Sequence, residues 1–404
     1  MQSEFALSAH WTGGFDEPAL QRWAEDLRRQ LRAPQVSLGL VFLTPRFFPV
    51  AQQVLELLRV HAQIPLLAGC SSHGLIAGRE EFEENAGLVL GLYHLPGAKL
   101  HALHFRQEQV EAANGPGDWH LATGLTANQT NGWLVFADPF HLDCEAWLRD
   151  WNEAYPERPT LGGLAGGDSR EHAAQVYLNG EVFDEGGVAV AVGGAVGVSG
   201  VISQGCTPIG ETWTITKAER NLIHQIGNRP AYQVMVETYN NLSPADQQKT
   251  RGNLFVGLVI NEYLEDFHRG DFLVRNLIGA DPASGCVAVG ALPRQGQTVQ
   301  FQRRDADAAS EDLTALLDQA RRDLAGTPIY GACLCSCNGR GHRLFGRPHH
   351  DANLVQQRLG PLGLTGFFCN GEIGPVGERN FLHGYTASLA LFVGHQERPD
   401  APGN

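Results

Sequence analysis

Positive charge is scarce in this chain: 30 Lys and Arg stand against 44 Asp and Glu in 404 residues, a formal charge of −14 at pH 7. Such a balance repels phosphate backbones and anionic lipid surfaces, so no nucleic-acid partner is expected. Cysteine is thinly spread, eight residues at positions 70, 144, 206, 286, 333, 335, 337 and 369. That is not the dense pattern of a small secreted disulfide scaffold, and the thiols read as reduced in a cytoplasm. Residues 1–14 lack a basic segment followed by an apolar one, so nothing there directs export. The expected location is cytoplasmic.

Long apolar runs are also missing, with one stretch to weigh. Gly186 to Gly210 carries no charge and is long enough to cross a bilayer. Eight of its 25 residues are Gly and six are Val, a composition poor for helix and suited to two buried strands, Gly187 to Gly193 and Val196 to Ser203. Nucleotide motifs fail as well. Gly69-x4-Gly74 has Leu75 where a phosphate loop needs Lys, and Gly193-Gly194-Ala195-Val196-Gly197 precedes a strand, not a helix. Cys333, Cys335 and Cys337 alternate at roughly 6.6 Å along a strand, too far apart to ligate one zinc together and consistent with a buried face. His349-His350-Asp351 reads as a pre-helix turn and cap. No cofactor and no metal are called for.

What is present is a large apolar fraction, 43% of the residues, enough to bury cores in two or three domains. Asp16 can cap a helix with Pro18 in its first turn and a stripe of Leu20, Trp23, Leu27 and Leu31. Strands are expected over Val36 to Leu43, Ile64 to Ala68 and Trp133 to Ala137, and helices over Arg46 to His61 and Leu142 to Tyr155. Gly87 to Tyr93 and Lys99 to Phe105 read as a hairpin turned at Pro96-Gly97. Further on come a hairpin of Gly285 to Leu292 with Gln297 to Arg303, a helix Ser310 to Leu324, a strand Ile329 to Cys335 and a helix from His350 to Leu359. The alternation favours α/β architecture. The order in the second half repeats that of the first at an offset of about 200 residues, the mark of two similar α/β subdomains with mixed sheets flanked by helices. Gly69-x4-Gly74-x-Ile76 and Gly366-x4-Gly371-x-Ile373 share spacing but stand at different places in that expected order.

Four motifs then stand out in order: Gly69-Cys70-Ser71-Ser72-His73-Gly74, the glycine-rich Leu161 to Asp168, Ser336-Cys337-Asn338-Gly339-Arg340-Gly341, and Gly371-Glu372-Ile373-Gly374-Pro375. Together they resemble the FIST proteins over roughly residues 30 to 390. The resemblance implies paired N-terminal and C-terminal FIST domains forming a sensory module of bacteria and archaea that binds a small ligand such as an amino acid. It also implies a signalling partner to supply the output, since the chain has no room for an output domain. The expected division is a lead-in helix over 1–34, a FIST N-like domain over 35–203, a connecting segment of loop and helix over 204–241, a FIST C-like domain over 242–393 and a disordered tail over 394–404.

The ligand site is expected where polar groups end apolar strands. Arg340 and Glu372 end two strands joined by a short helix, as a cation and an anion suited to a zwitterion. Asn338, Asn370, Gly371 and Gly341 border them, and Ser71 and Ser72 are candidates for the opposite wall. A structural Arg340–Glu372 ion pair is the plain alternative. Two other classes stay open: a cysteine-dependent hydrolase or transferase using Cys70 or Cys369 with His73 or His383 as base, and a protein-interaction scaffold.

Overall fold

The computed structural model describes residues 4–84, 87–167 and 171–395. The chain forms two compact units, one of Met1–Ile202, Thr314–Leu382 and Thr386–Asn404, the other of Ser203–Leu313 with His383–Tyr385. Asp168 and the tail beyond 395 lie outside the described residues.

The first unit holds three six-stranded mixed sheets, each built on one plan. At its centre two parallel strands are joined through a helix. Leu38–Leu43 and Leu67–Ser71 flank the helix Ala51–His61; Gly132–Ala137 and Thr160–Leu164 flank Cys144–Ala154; Ile329–Cys337 and Leu364–Cys369 flank His350–Leu359. An antiparallel strand lies against the first of each pair: Leu88–Tyr93, Gly187–Gly194 and Ala387–Gly394. Ala6–Trp11, Ala98–Phe105 and Val196–Ser203 close that edge.

The opposite edge is exchanged among the copies. The hairpin Leu75–Ala77 with Glu80–Phe82 follows the first copy and joins the third sheet. Val176–Leu178 with Glu181–Phe183 follows the second and joins the first sheet. Glu372–Val376 with Arg379–His383 follows the third and joins the second sheet. Each sheet is therefore complete only with a hairpin from another copy, and the three exchanges link all three copies.

One glycine recurs in this plan. Gly69, Gly162 and Gly366 each face a residue of the parallel partner strand, and a Cβ there would lie 1.7, 1.8 and 2.0 Å from the carbonyl oxygens of Val41, Val135 and Leu334. Inside, Phe42, Phe136 and Phe367 pack with ring centroids 5.3, 4.5 and 5.8 Å apart. They share an apolar core with Cys70, Cys333, Cys335 and Cys369.

The second unit is an antiparallel sheet. Cys206–Glu219 pairs with both Thr298–Arg304 and Leu222–Ile226, which closes the sheet on itself through Leu254–Val259, Phe272–Asp281 and Cys286–Val289. Ile215, Ile223, Val256, Val287, Val299 and Phe301 form its core, to which the helix Ala231–Asn240 adds Ala231 and Val234.

The mixed α/β class with helix-flanked sheets is thus found, with several local corrections. Leu88–Tyr93 and Ala98–Phe105 do not form a hairpin; the turn at Pro96-Gly97 carries the chain from the first sheet to the second. Cys286–Val289 and Thr298–Arg304 likewise pair with other strands. Residues 204–241 are mostly strand before the helix, because alternation such as Trp213, Thr214, Ile215 and Thr216 serves a sheet whose outer face is polar. The helix expected from Arg46 opens as a 3-10 turn, Pro45–Val50, where Pro49 has no N–H to donate. Gly69-x4-Gly74 and Gly366-x4-Gly371 occupy the same place in the plan, at the end of the second parallel strand. Residues 187–203 are strands, and among the described residues no helix is long and apolar enough to cross a membrane.

Candidate functional site

All four glycine-rich motifs come together in the first unit. Ile329–Cys337 and Leu364–Cys369 run in parallel register, Cys337 beside Cys369, so the loops that follow both leave the same edge of the sheet. Phe368 donates its N–H to the Gly74 carbonyl at 2.9 Å, and Ser72 Oγ donates to the Phe368 carbonyl at 2.6 Å. Gly166 N–H donates to Ser71 O and Leu164 N–H to Gly371 O, both at 2.8 Å, and Glu372 pairs with Gly163. Ser71 Oγ accepts from Gln175 N–H at 2.9 Å. Ser71 and Ser72 are fully buried and hold the motifs to one another through backbone groups.

Arg340 is fully buried, and its carboxylate partner is Asp351. Nε donates to Oδ2 at 2.6 Å and Nη2 to Oδ1 at 3.0 Å, a two-pronged pair. The guanidinium lies 5.3 Å from the Phe345 ring centroid, and that ring stacks on His350 at 3.5 Å. His350 Nδ1 is 2.8 Å from Asp351 Oδ1, and Ser336 Oγ donates to Oδ2 at 3.2 Å. Burial opposes charge on Asp351, but Arg340 and the His350 hydrogen bond outweigh it and hold the carboxyl well below its usual range.

The exchanged hairpin brings two more acids. Glu81 Oε1 accepts from Ala352 N–H at 2.8 Å, capping the helix His350–Leu359, while its own N–H donates to His349 Nδ1 at 2.8 Å. Burial first, and Asp351 second, push its carboxyl up to about 8. Glu83 Oε1 accepts from His342 N–H at 2.7 Å. Gly341 is required here: its φ is +67° and a Cβ would lie 2.6 Å from the Glu83 carboxylate.

Glu372 is buried beside the same strand ends. Its Oε2 accepts from Thr386 N–H at 3.0 Å and its Oε1 from Cys369 Sγ at 3.4 Å. Burial pushes this carboxyl up to about 8, so near neutral pH it is chiefly a neutral acid in this arrangement. Arg340 and Glu372 are close enough to influence each other's charge, yet the direct ion pair belongs to Asp351. Asn338 and Asn370 meet at the exposed rim, Nδ2 to Oδ1 at 2.8 Å. Gly371 sits just behind them, where a Cβ would be 2.7 Å from Leu164 Cδ1.

The thiols at these strand ends have the wrong surroundings for a nucleophile. Cys70 and Cys369 are fully buried, and burial pushes both well above the usual thiol range. Cys369 is bonded to the Ser336 carbonyl and Glu372, and His73 Nε2 to the Gly167 carbonyl at 2.9 Å. Among the described residues no group of three or more His, Cys, Asp or Glu could hold a metal ion. Sequence reasoning took Asp351 for part of a cap and did not select Glu81. A carboxylate eleven residues beyond Arg340 was a usable signal; Glu81 had none, since only the hairpin exchange brings it here.

Family models match the chain in tandem, the FIST N domain over residues 37–229 and the FIST C domain over 231–375. The chain belongs to the FIST family. FIST domains are small-ligand sensory domains of signalling proteins. Among curated relatives, an uncharacterized protein of Mycobacterium tuberculosis is 35% identical over 372 residues, spanning 92% of this chain and 94% of its own. One from Mycobacterium bovis is 35% identical over 375 residues with the same coverage. An uncharacterized protein of Methanocaldococcus jannaschii is 23% identical over 263 residues, 63% of this chain and 49% of that protein. A solved structure of cyanuric acid hydrolase aligns over 97% of this chain and 98% of its own at 9% identity, with a TM-score of 0.33.

Proposed function

We propose that this FIST chain is an intracellular sensor that takes a small polar ligand, an amino acid being the first class to test, where its four glycine-rich motifs meet. The observation carrying this reading is the exposed Asn338–Asn370 amide pair standing over buried ionisable groups, Arg340 with Asp351 and the neutral acid Glu372. The amides and the Gly371 and Gly341 backbone orient the ligand at the rim. Its carboxylate competes with Asp351 for Arg340, and its ammonium, as a nearby positive charge, favours the ionised form of Glu372, whose proton is released to solvent. Ser72 braces the wall through the Phe368 carbonyl, and Ser71 through the N–H groups of Gln175 and Gly166. Exchange of partners at a buried cation gives the ligand a differential interaction with two arrangements, which a sensor requires. A separate signalling protein carries the output.

A thermal-shift screen of the purified chain against amino acids and related metabolites tests this. A ligand present at 100 times its Kd raises stability by about 2.7 kcal/mol if only the folded state binds. Calorimetric titration of Arg340→Lys and Glu372→Gln then locates it. Lost affinity in both folded variants supports the site; unchanged affinity in both removes it.

A further inference from the structure

A thiol and an imidazole meet on neighbouring strands of the second unit. Cys286 begins the strand Cys286–Val289, and His224 lies in its antiparallel neighbour Leu222–Ile226. Ile223 and Val287, in register with each other, both belong to the unit's apolar core. Strand alternation therefore turns Cys286 and His224 to the other face of the sheet. There Cys286 Sγ stands 3.0 Å from His224 Nδ1 and 3.6 Å from the Ser284 carbonyl. The preceding turn is exposed, with the Asp281 carboxylate accepting from Ala283 and Ser284 N–H. Cys70, Cys333, Cys335 and Cys369 instead lie inside the aromatic core of the first unit, and burial raises Cys144 to about 12.

We propose that Cys286 is a modification site, the thiol that hydrogen peroxide oxidises in this chain, with His224 as its base. The tautomer protonated at Nε2 leaves Nδ1 free to accept. Nδ1 takes the Sγ proton, and the thiolate attacks one peroxide oxygen. The S–O bond forms as the O–O bond breaks, and the departing hydroxide recovers the proton from the imidazolium as water. Sulfur loses two electrons to become a sulfenic acid, and peroxide gains them. Cys286, one residue beyond an exposed turn, is itself buried but retains 9% exposure, where Cys70, Cys333, Cys335 and Cys369 have none.

The test treats the folded full-length chain with hydrogen peroxide and dimedone across a range of pH and maps adducts by peptide mass spectrometry. Cys286 should acquire dimedone first, at least about tenfold faster than the other seven thiols. Cys286→Ser should abolish the early adduct. His224→Gln should slow it about tenfold or more and move its pH profile, with an unchanged melting temperature. Earlier modification of another thiol, or a Cys286 rate indifferent to His224→Gln, overturns the proposal. If His224→Gln does not fold, the ranking of thiols in the unaltered chain decides.

Discussion

At the residue scale the deciding feature is a buried cation with an identified counter-ion. Asp351→Ala would leave Arg340 charged and uncompensated, and is expected to cost about 3–5 kcal/mol in chemical denaturation. Arg340→Lys keeps the charge but loses the two-pronged geometry that Nε and Nη2 make with Asp351. If Arg340 also serves a ligand carboxylate, this variant should lose affinity by the value of a charge-assisted hydrogen bond, about 1.5–3 kcal/mol. A large fall in melting temperature with unaltered affinity would leave Arg340 a structural residue only.

At the element scale the recurring glycine of the parallel pairs is the sharpest constraint. Gly69→Ala, Gly162→Ala and Gly366→Ala each drive a methyl group into a backbone carbonyl that cannot swing aside, at 1.7 to 2.0 Å. Each should destabilise by more than about 3 kcal/mol or prevent soluble expression. Gly117→Ala is the control: it lies in the helix Pro116–Thr123 with nothing within 4 Å of the added methyl, and should be neutral or stabilise by about 0.5–1 kcal/mol. Denaturation midpoints of the four variants measure both. Comparable losses in the control and the strand variants would contradict the steric account. The exchanged hairpins add a second consequence: Glu81 caps a helix of the third copy from a hairpin of the first, so local sequence near His350 does not hold the cap it uses.

At the scale of the whole molecule the buried acids set the pH dependence. Glu81 and Glu372 rise from an ordinary 4.5 to about 8 on folding. Their contribution is fully present below about pH 4.5 and is lost as pH climbs through 8, because the unfolded chain releases protons that the folded one retains. Asp351 works oppositely: held low, it adds stability above its ordinary 3.8 that disappears as pH falls. Melting temperature should therefore peak on the acid side of neutrality and decline toward pH 8, each raised carboxyl contributing at most about 1.4 kcal/mol per pH unit. Glu372→Gln should flatten that decline. A variant curve parallel to the unaltered one from pH 5 to 8 would assign the slope to other groups.

Much of this was legible in the chain. The α/β class, the capped helix at Asp16, the strand nature of residues 187–203 and the four motifs all rest on local properties: periodicity, cap chemistry, Gly and Val content, spacing. The 200-residue offset is also present, linking the strands at 133 and 329, the helices at 144 and 350 and the glycine clusters at 162 and 366. Local pattern failed where partners are remote. Two adjacent apolar strands around Pro96-Gly97 look like a hairpin whether they pair with each other or enter different sheets. The third copy of the plan was hidden by the strand unit standing between Val196–Ser203 and the helix Ala306–Asp323. The sequence by itself determined which residues could form strands, turns and buried charges, since those preferences reside in side chains and backbone. The tertiary structure alone decided that Glu81 joins Arg340 and Asp351 and that Cys286 meets His224, because the first depends on strand exchange and the second on register between segments that carry no local record of one another.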